Sequence, residues 1–113
     1  MALHFLTQPH HLSALEPLKN AAILALDIET AGPNGLIPQQ SRIRLLQLAT
    51  EDGTFVFDMD KVQPPDWLWQ IVESESVLKV LHNAKFDLKH IYHHTGRVVA
   101  PVFCTFLASQ LLA

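Results

Sequence analysis

The chain has one cysteine, Cys104, one tyrosine and four glycines in 113 residues, and only 17% of its residues are charged. A single cysteine excludes an internal disulfide and the disulfide-stapled class of small domains. It fits a reducing cytoplasm, the expected location. Lysine and arginine number 8 against 11 aspartates and glutamates, for a net charge of −3. That excludes a basic tail and argues against a broad electrostatic footprint for nucleic acid. No apolar run reaches membrane-spanning length, so no membrane partner is expected. Met1–Phe5 has no basic stretch ahead of a hydrophobic one, so no signal peptide is expected. Internal repeats, linkers and low-complexity tracts are also missing. What remains is 49% hydrophobic, enough for one compact domain over residues 1–113 with a real core.

The order of elements follows from periodicity and punctuation. Leu3 to Leu6 reads as a short edge strand. Pro9 opens a helix with Leu12, Leu15 and Leu18, disturbed by Pro17 and ended by Asn20. Ile23 to Ile28 is an apolar strand. Gly32, Pro33, Asn34, Gly35 and Pro38 make a loop. Arg42 to Thr50 is a second strand, with Ile43, Leu45 and Gln47 alternating against Arg44, Leu46 and Leu48. Glu51–Thr54 is a hairpin turn, and Phe55–Phe57 the returning strand ending at Asp58. Pro64–Asp66 opens a helix containing Trp67, Leu68, Ile71 and Val72. Val77 to Leu81 is a short strand. Asn83 or a neighbour caps a helix with Phe86, Leu88, Ile91 and Tyr92, which Gly96 ends. Pro101–Cys104 is extended at most, and Thr105 caps a final apolar helix. A hairpin-rich block followed by alternating strands and helices predicts an α/β mixed sheet with helices packed on it.

Two motifs carry chemistry. Asp27 and Glu29 sit two apart at the end of the Ala21–Thr30 run. Residues i and i+2 of a strand point the same way, so both carboxylates leave one face. Two like charges at the mouth of a core repel and raise each other's pKa, and a divalent cation between them removes that cost. Hard oxygen donors suit Mg²⁺ or Mn²⁺. The second motif is His82-Asn83-Ala84-Lys85-Phe86-Asp87, where a strand gives way to a helix. Asp87 falls near the positive end of that helix, which favours its ionised form. Both motifs end a core strand, so their three carboxylates can converge at one edge of a mixed sheet.

Leu26-Asp27-Ile28-Glu29-Thr30 resembles the first motif of the DEDD superfamily of 3′-5′ exonucleases, and His82–Asp87 resembles the second. Arg42–Ala49 is similar to the strand after the first motif, and Thr105–Leu112 to the helix before the third. The relatives it most resembles are ribonuclease D and the proofreading domain of family A DNA polymerases, over essentially the whole chain. The resemblance implies a ribonuclease H-like fold that lacks the last helices of the full domain. It implies a two-metal 3′-5′ exonuclease acting on the 3′ end of single-stranded DNA or RNA. Asp27 would bridge both Mg²⁺ or Mn²⁺ ions, Glu29 would bind the one that activates water, and Asp87 would reach the second. Thr30 and Asn83 would bond the terminal nucleotide, with Phe86 and Leu36 packed on its base or sugar. Such contacts tolerate any base. Lys85, Lys89, Arg42 and Arg44 are phosphate candidates on charge alone. An enzyme gripping only a strand end with metal ions needs no large basic surface.

The family's third motif, a Tyr or His with an Asp four residues later, does not occur after Asp87. A C-terminally truncated domain is therefore expected. An inactive interaction module and one half of a split enzyme stay open beside the active one. The apolar face left by the missing helix would favour self-association or a partner chain. Cys104 stands where the ribonuclease D branch usually has Asp. Other residues take plainer readings. Asp58 and Asp60 belong to a turn. His90 and His94, four apart without a third ligand, lie on a solvated helix face. His10 and His11 are surface residues, and Trp67 and Trp69 are packing anchors.

Overall fold

The computed structural model describes residues 2–112. Six strands form one mixed sheet: β1 (Ala2–Leu6), β2 (Ile23–Ala31), β3 (Arg42–Thr50), β4 (Gly53–Asp58), β5 (Leu78–Leu81) and β6 (Val102–Cys104), in the spatial order β1-β4-β3-β2-β5-β6. The β2–β3 and β3–β4 pairs are antiparallel, while β1–β4, β2–β5 and β5–β6 are parallel. Three α-helices accompany the sheet: α1 (Asp66–Glu73), α2 (Ala84–Thr95) and α3 (Thr105–Leu112). The α/β mixed sheet with flanking helices is as expected, and the parallel crossovers place α1 and α2 on either side of β5 in sequence.

Strand β2 alternates cleanly. Leu24, Leu26 and Ile28 are buried, while Ile23, Ala25, Asp27 and Glu29 are exposed. The buried set joins Leu46, Leu48, Phe55 and Phe57 of the neighbouring strands, Leu15 and Leu18 of the N-terminal segment, and Leu68, Trp69 and Val72 of α1 in one core. Truncating any of these leucines would cost roughly 2–5 kcal/mol. Both tryptophans therefore pack as expected, and Lys19 lies 4.7 Å above the Trp67 ring.

Several local expectations are corrected. The helix expected to open at Pro9 is present, as a 3₁₀ helix over Pro9–Asn20. Leu12, Leu15 and Leu18 recur every three residues, the 3₁₀ period, and Pro17 cannot supply an α-helical N–H. Strand β2 runs on to Ala31 instead of stopping at Ile28. In β3 the alternation breaks. Glu29 pairs with Leu45 but Thr30 pairs with Ile43, so Arg44 is an extra, bulged residue. Ile43, Leu46 and Leu48 are buried, and Leu45 is only half-buried.

Asp58 is no surface turn residue. It is buried at the end of β4 and paired with Arg44, while Asp60 bonds Arg42 in a bidentate pair with both distances 3.0 Å. Tyr92 of α2 is 61% exposed. His90, expected on a solvated face, is completely buried. Lys79 of β5 is also fully buried. Its Nζ donates to the Ser74 and Ala100 carbonyls at 2.7 Å each, and burial lowers its pKa. It ties the turn before β5 to the approach of β6.

Candidate active site

Asp27 and Glu29 leave the exposed face of β2, as strand geometry requires. Strand β5, parallel to β2 and paired through Ile23–Leu78 to Ala25–Val80, carries the chain to the same end of the sheet. There Asn83 adopts the left-handed conformation, φ 56° and ψ 54°, and α2 begins at Ala84. Asparagine tolerates this conformation better than most residues. The sharp reversal puts Asp87, in the first turn of α2, against β2.

Asp87 is 3% exposed, and its Oδ2 has no hydrogen-bond partner. Burial raises its pKa first. The Asp27 carboxylate, within hydrogen-bonding reach, raises it further, and Glu29 adds a smaller push. The Ile28 N–H opposes them, yet the carboxyl is pushed up to about 7. A buried carboxylate facing another carboxylate, with one oxygen unpartnered, is a donor set that fits a divalent cation. Asp27 and Asp87 form the tight part of the site, and Glu29 stands as the outer member. Among the described residues, no group of three or more His, Cys, Asp or Glu side chains is already drawn together around a metal position.

The other predicted residues sit on β2, the loop after it, β3, and α2 with its N-cap. Thr30 is half-buried, and its Oγ1 donates to the Gly35 carbonyl at 3.0 Å. Leu36, in the same loop, is 70% exposed. Asn83 occupies the N-cap position without bonding the helix through its side chain. Phe86 is half-buried and packs on the His90 ring, with centroids 4.3 Å apart. Lys85 is exposed and lines a groove between α2 and α3, away from Asp87. Lys89 lies on the same exposed stretch of α2. Arg42 and Arg44 are held by Asp60 and Asp58, so a phosphate would compete with formed ion pairs.

Two features escaped the sequence reading. Cys104 Sγ accepts the Ala84 N–H at 3.3 Å, capping α2 from twenty residues away. The N–H groups of Ala84, Leu107, Phe106 and Asn83 hold its thiol pKa below the ordinary value. His82 Nδ1 lies 2.9 Å from the Thr105 hydroxyl, joining the starts of α2 and α3. Only the cysteine at a position where an Asp was expected hinted at the first, and nothing in the sequence hinted at the second.

The family described as 3′-5′ exonuclease matches residues 4–113. The chain is 36% identical over 99 residues to DNA polymerase I of Aquifex aeolicus, covering 88% of this chain and 15% of the relative. It is 32% identical over 119 residues to ribonuclease D of Zymomonas mobilis, covering 99% and 29%. The chain thus spans less than a third of these relatives. Among solved structures, Brucella melitensis NrnC is similar at a TM-score of 0.72 and 26% identity, over 97% of this chain and 50% of that one.

Proposed function

Because this chain belongs to the 3′-5′ exonuclease family, we propose that it hydrolyses phosphodiester bonds at the 3′ ends of single-stranded nucleic acid, with Asp27, Glu29 and Asp87 as its metal-binding and catalytic carboxylates. The observation that carries this is the buried, unpartnered Oδ2 of Asp87 set against Asp27. Two carboxylates in that position are costly unless a cation joins them. NrnC has been solved with Mg²⁺ and with pGG bound, which supports a divalent cation and a nucleotide ligand here.

Asp27 and Asp87 would hold Mg²⁺ or Mn²⁺ between them, and Glu29 would complete a second position on the β2 face. Bound divalent cations neutralise charge at phosphorus and make the attacking water acidic. Asp87 keeps its ligand position because α2 is anchored by the Cys104 cap and the buried His90. Thr30 and Asn83 would bond the terminal nucleotide, Leu36 and Phe86 would pack on it, and Lys85 and Lys89 are available for phosphate. Stacking and backbone contacts of this kind read no sequence.

The test is loss of a 3′-terminal label from single-stranded DNA and RNA with Mn²⁺, using Asp27→Ala as control. Metal-independent loss, or equal loss in the variant, would sink the proposal.

A further inference from the structure

We propose that His90 is a positioning residue whose Nε2–H fastens the Gly35 carbonyl, holding the 33–37 loop against α2 so that Leu36, Lys89 and Tyr92 form one nucleotide groove. The ligand's identity rests on the exonuclease proposal, whereas the latch itself rests on geometry alone.

His90 is completely buried, and each ring nitrogen meets a carbonyl oxygen. Nδ1 is 2.9 Å from Phe86 O and Nε2 is 3.1 Å from Gly35 O. A carbonyl only accepts, so the nitrogen that bonds it must carry a proton. Phe86 O is already the i−4 acceptor of the α2 backbone at His90. Among the described residues, Gly35 O otherwise receives only the Thr30 hydroxyl. The Nε2–H tautomer therefore makes the bond that α2 cannot make another way, across 55 residues of sequence.

The loop is built to move as one piece. Asn34 N donates to Gln40 O at 3.2 Å, Leu36 N to Asn34 Oδ1 at 3.1 Å and Ile37 N to Asn34 O at 3.2 Å. From outside the loop, the Thr30 hydroxyl and His90 both hold the Gly35 carbonyl, and the Pro38 backbone lies in reach of His94; His90 is the tie from α2 to Gly35. The loop's docking point demands glycine: a Cβ on Gly35 would lie 2.6 Å from Thr30 Oγ1. Residues 32–40 carry no ionisable side chain, so no ion pair shares the task.

The docked loop and α2 enclose a groove of about 610 Å³. Leu36 and Ile37 form one wall, and Lys89, Tyr92 and His93 the other. Leu36 is 70% and Tyr92 61% exposed. An apolar wall opposite an aromatic ring and an ammonium suits a nucleobase and its phosphate. Tyr92 and Lys89 flank His90 on α2, so the latch sets their spacing from Leu36.

The test compares the intact chain with His90→Leu, which fills the site without a donor, and His90→Gln, whose amide reproduces the Nε2 donor. Nitrogen-15 NMR of the imidazole should show the Nε2–H tautomer. Amide exchange at 35–37 should speed up about tenfold in His90→Leu, with β2 unchanged, and return towards wild type in His90→Gln. Affinity for a fluorescein-labelled single-stranded oligonucleotide should fall about fivefold in the first variant and recover in the second. Unchanged loop exchange in His90→Leu, or an Nδ1–H tautomer, overturns the latch. Unchanged affinity beside faster exchange overturns the groove. If the wild type binds no oligonucleotide, the exonuclease proposal and the groove's ligand fail together, while exchange and tautomer still decide the latch.

Discussion

Replacing Asp87 by asparagine should stabilise the metal-free protein while destroying its response to metal. The Asp87 carboxyl is pushed up to about 7 by burial, by Asp27 and by Glu29, against ~3.9 in an unfolded chain. At roughly 1.4 kcal/mol per pH unit, ionising it costs the folded state up to about 4 kcal/mol more than the unfolded state. Relaxation around the coupled pair lowers the expected gain to about 2–4 kcal/mol. At this chain length that is roughly 6–20 °C in melting temperature. The sign follows from linkage. A folded pKa above the unfolded one leaves stability intact below pH ~4 and erodes it as pH rises through about 7. Wild type should therefore lose stability between pH 4 and 8 in EDTA, and millimolar Mg²⁺ or Mn²⁺ should restore it. Asp87→Asn should lack both this slope and this rescue, because the introduced amide carries no charge and can donate to Asp27. Urea or thermal melts across that pH range, with and without metal, measure all of this. A wild type and variant with the same pH profile in EDTA would refute the carboxylate-pair reasoning. A variant still rescued by metal would refute the site.

Gly35→Ala should lower stability by about 1–3 kcal/mol and weaken oligonucleotide binding, since its Cβ would meet Thr30 Oγ1 at 2.6 Å; melts and anisotropy read both. Lys79→Met should cost about 1–3 kcal/mol, because it orphans the Ser74 and Ala100 carbonyls that the buried ammonium bonds, and hydrogen exchange should show β6 loosening first. Asp58→Ala should cost about 1–3 kcal/mol and free Arg44 from its buried partner, an effect seen in melts and in a stronger salt dependence of oligonucleotide affinity.

The carboxylate motifs were legible because a strand's twofold period places Asp27 and Glu29 on one face whatever surrounds them. The succession of strands and helices along the chain was legible too, because the apolar runs and their turn residues are local signals. Residues whose state depends on a distant partner were not. His90 looked like one member of a solvated i, i+4 pair until the Gly35 loop was seen to cover it. Asp58 looked like a turn acid until the β3 bulge aimed Arg44 at it. The bulge itself has no sequence marker, since it is forced by pairing between two strands and not by either alone.

The sequence by itself determined the sheet-forming runs, the family to which the chain belongs and the placement of Asp27 and Glu29 on one face of a strand. Those follow from side-chain period and chemical type, which neighbours in sequence already define. Only the tertiary structure decided that Asp87 is buried against Asp27 with one oxygen unpartnered, and that the Leu36 loop is tied to α2 through His90. Burial and like-charge approach are properties of chains brought together from far apart. They set the charge state of the site, and no local pattern records them.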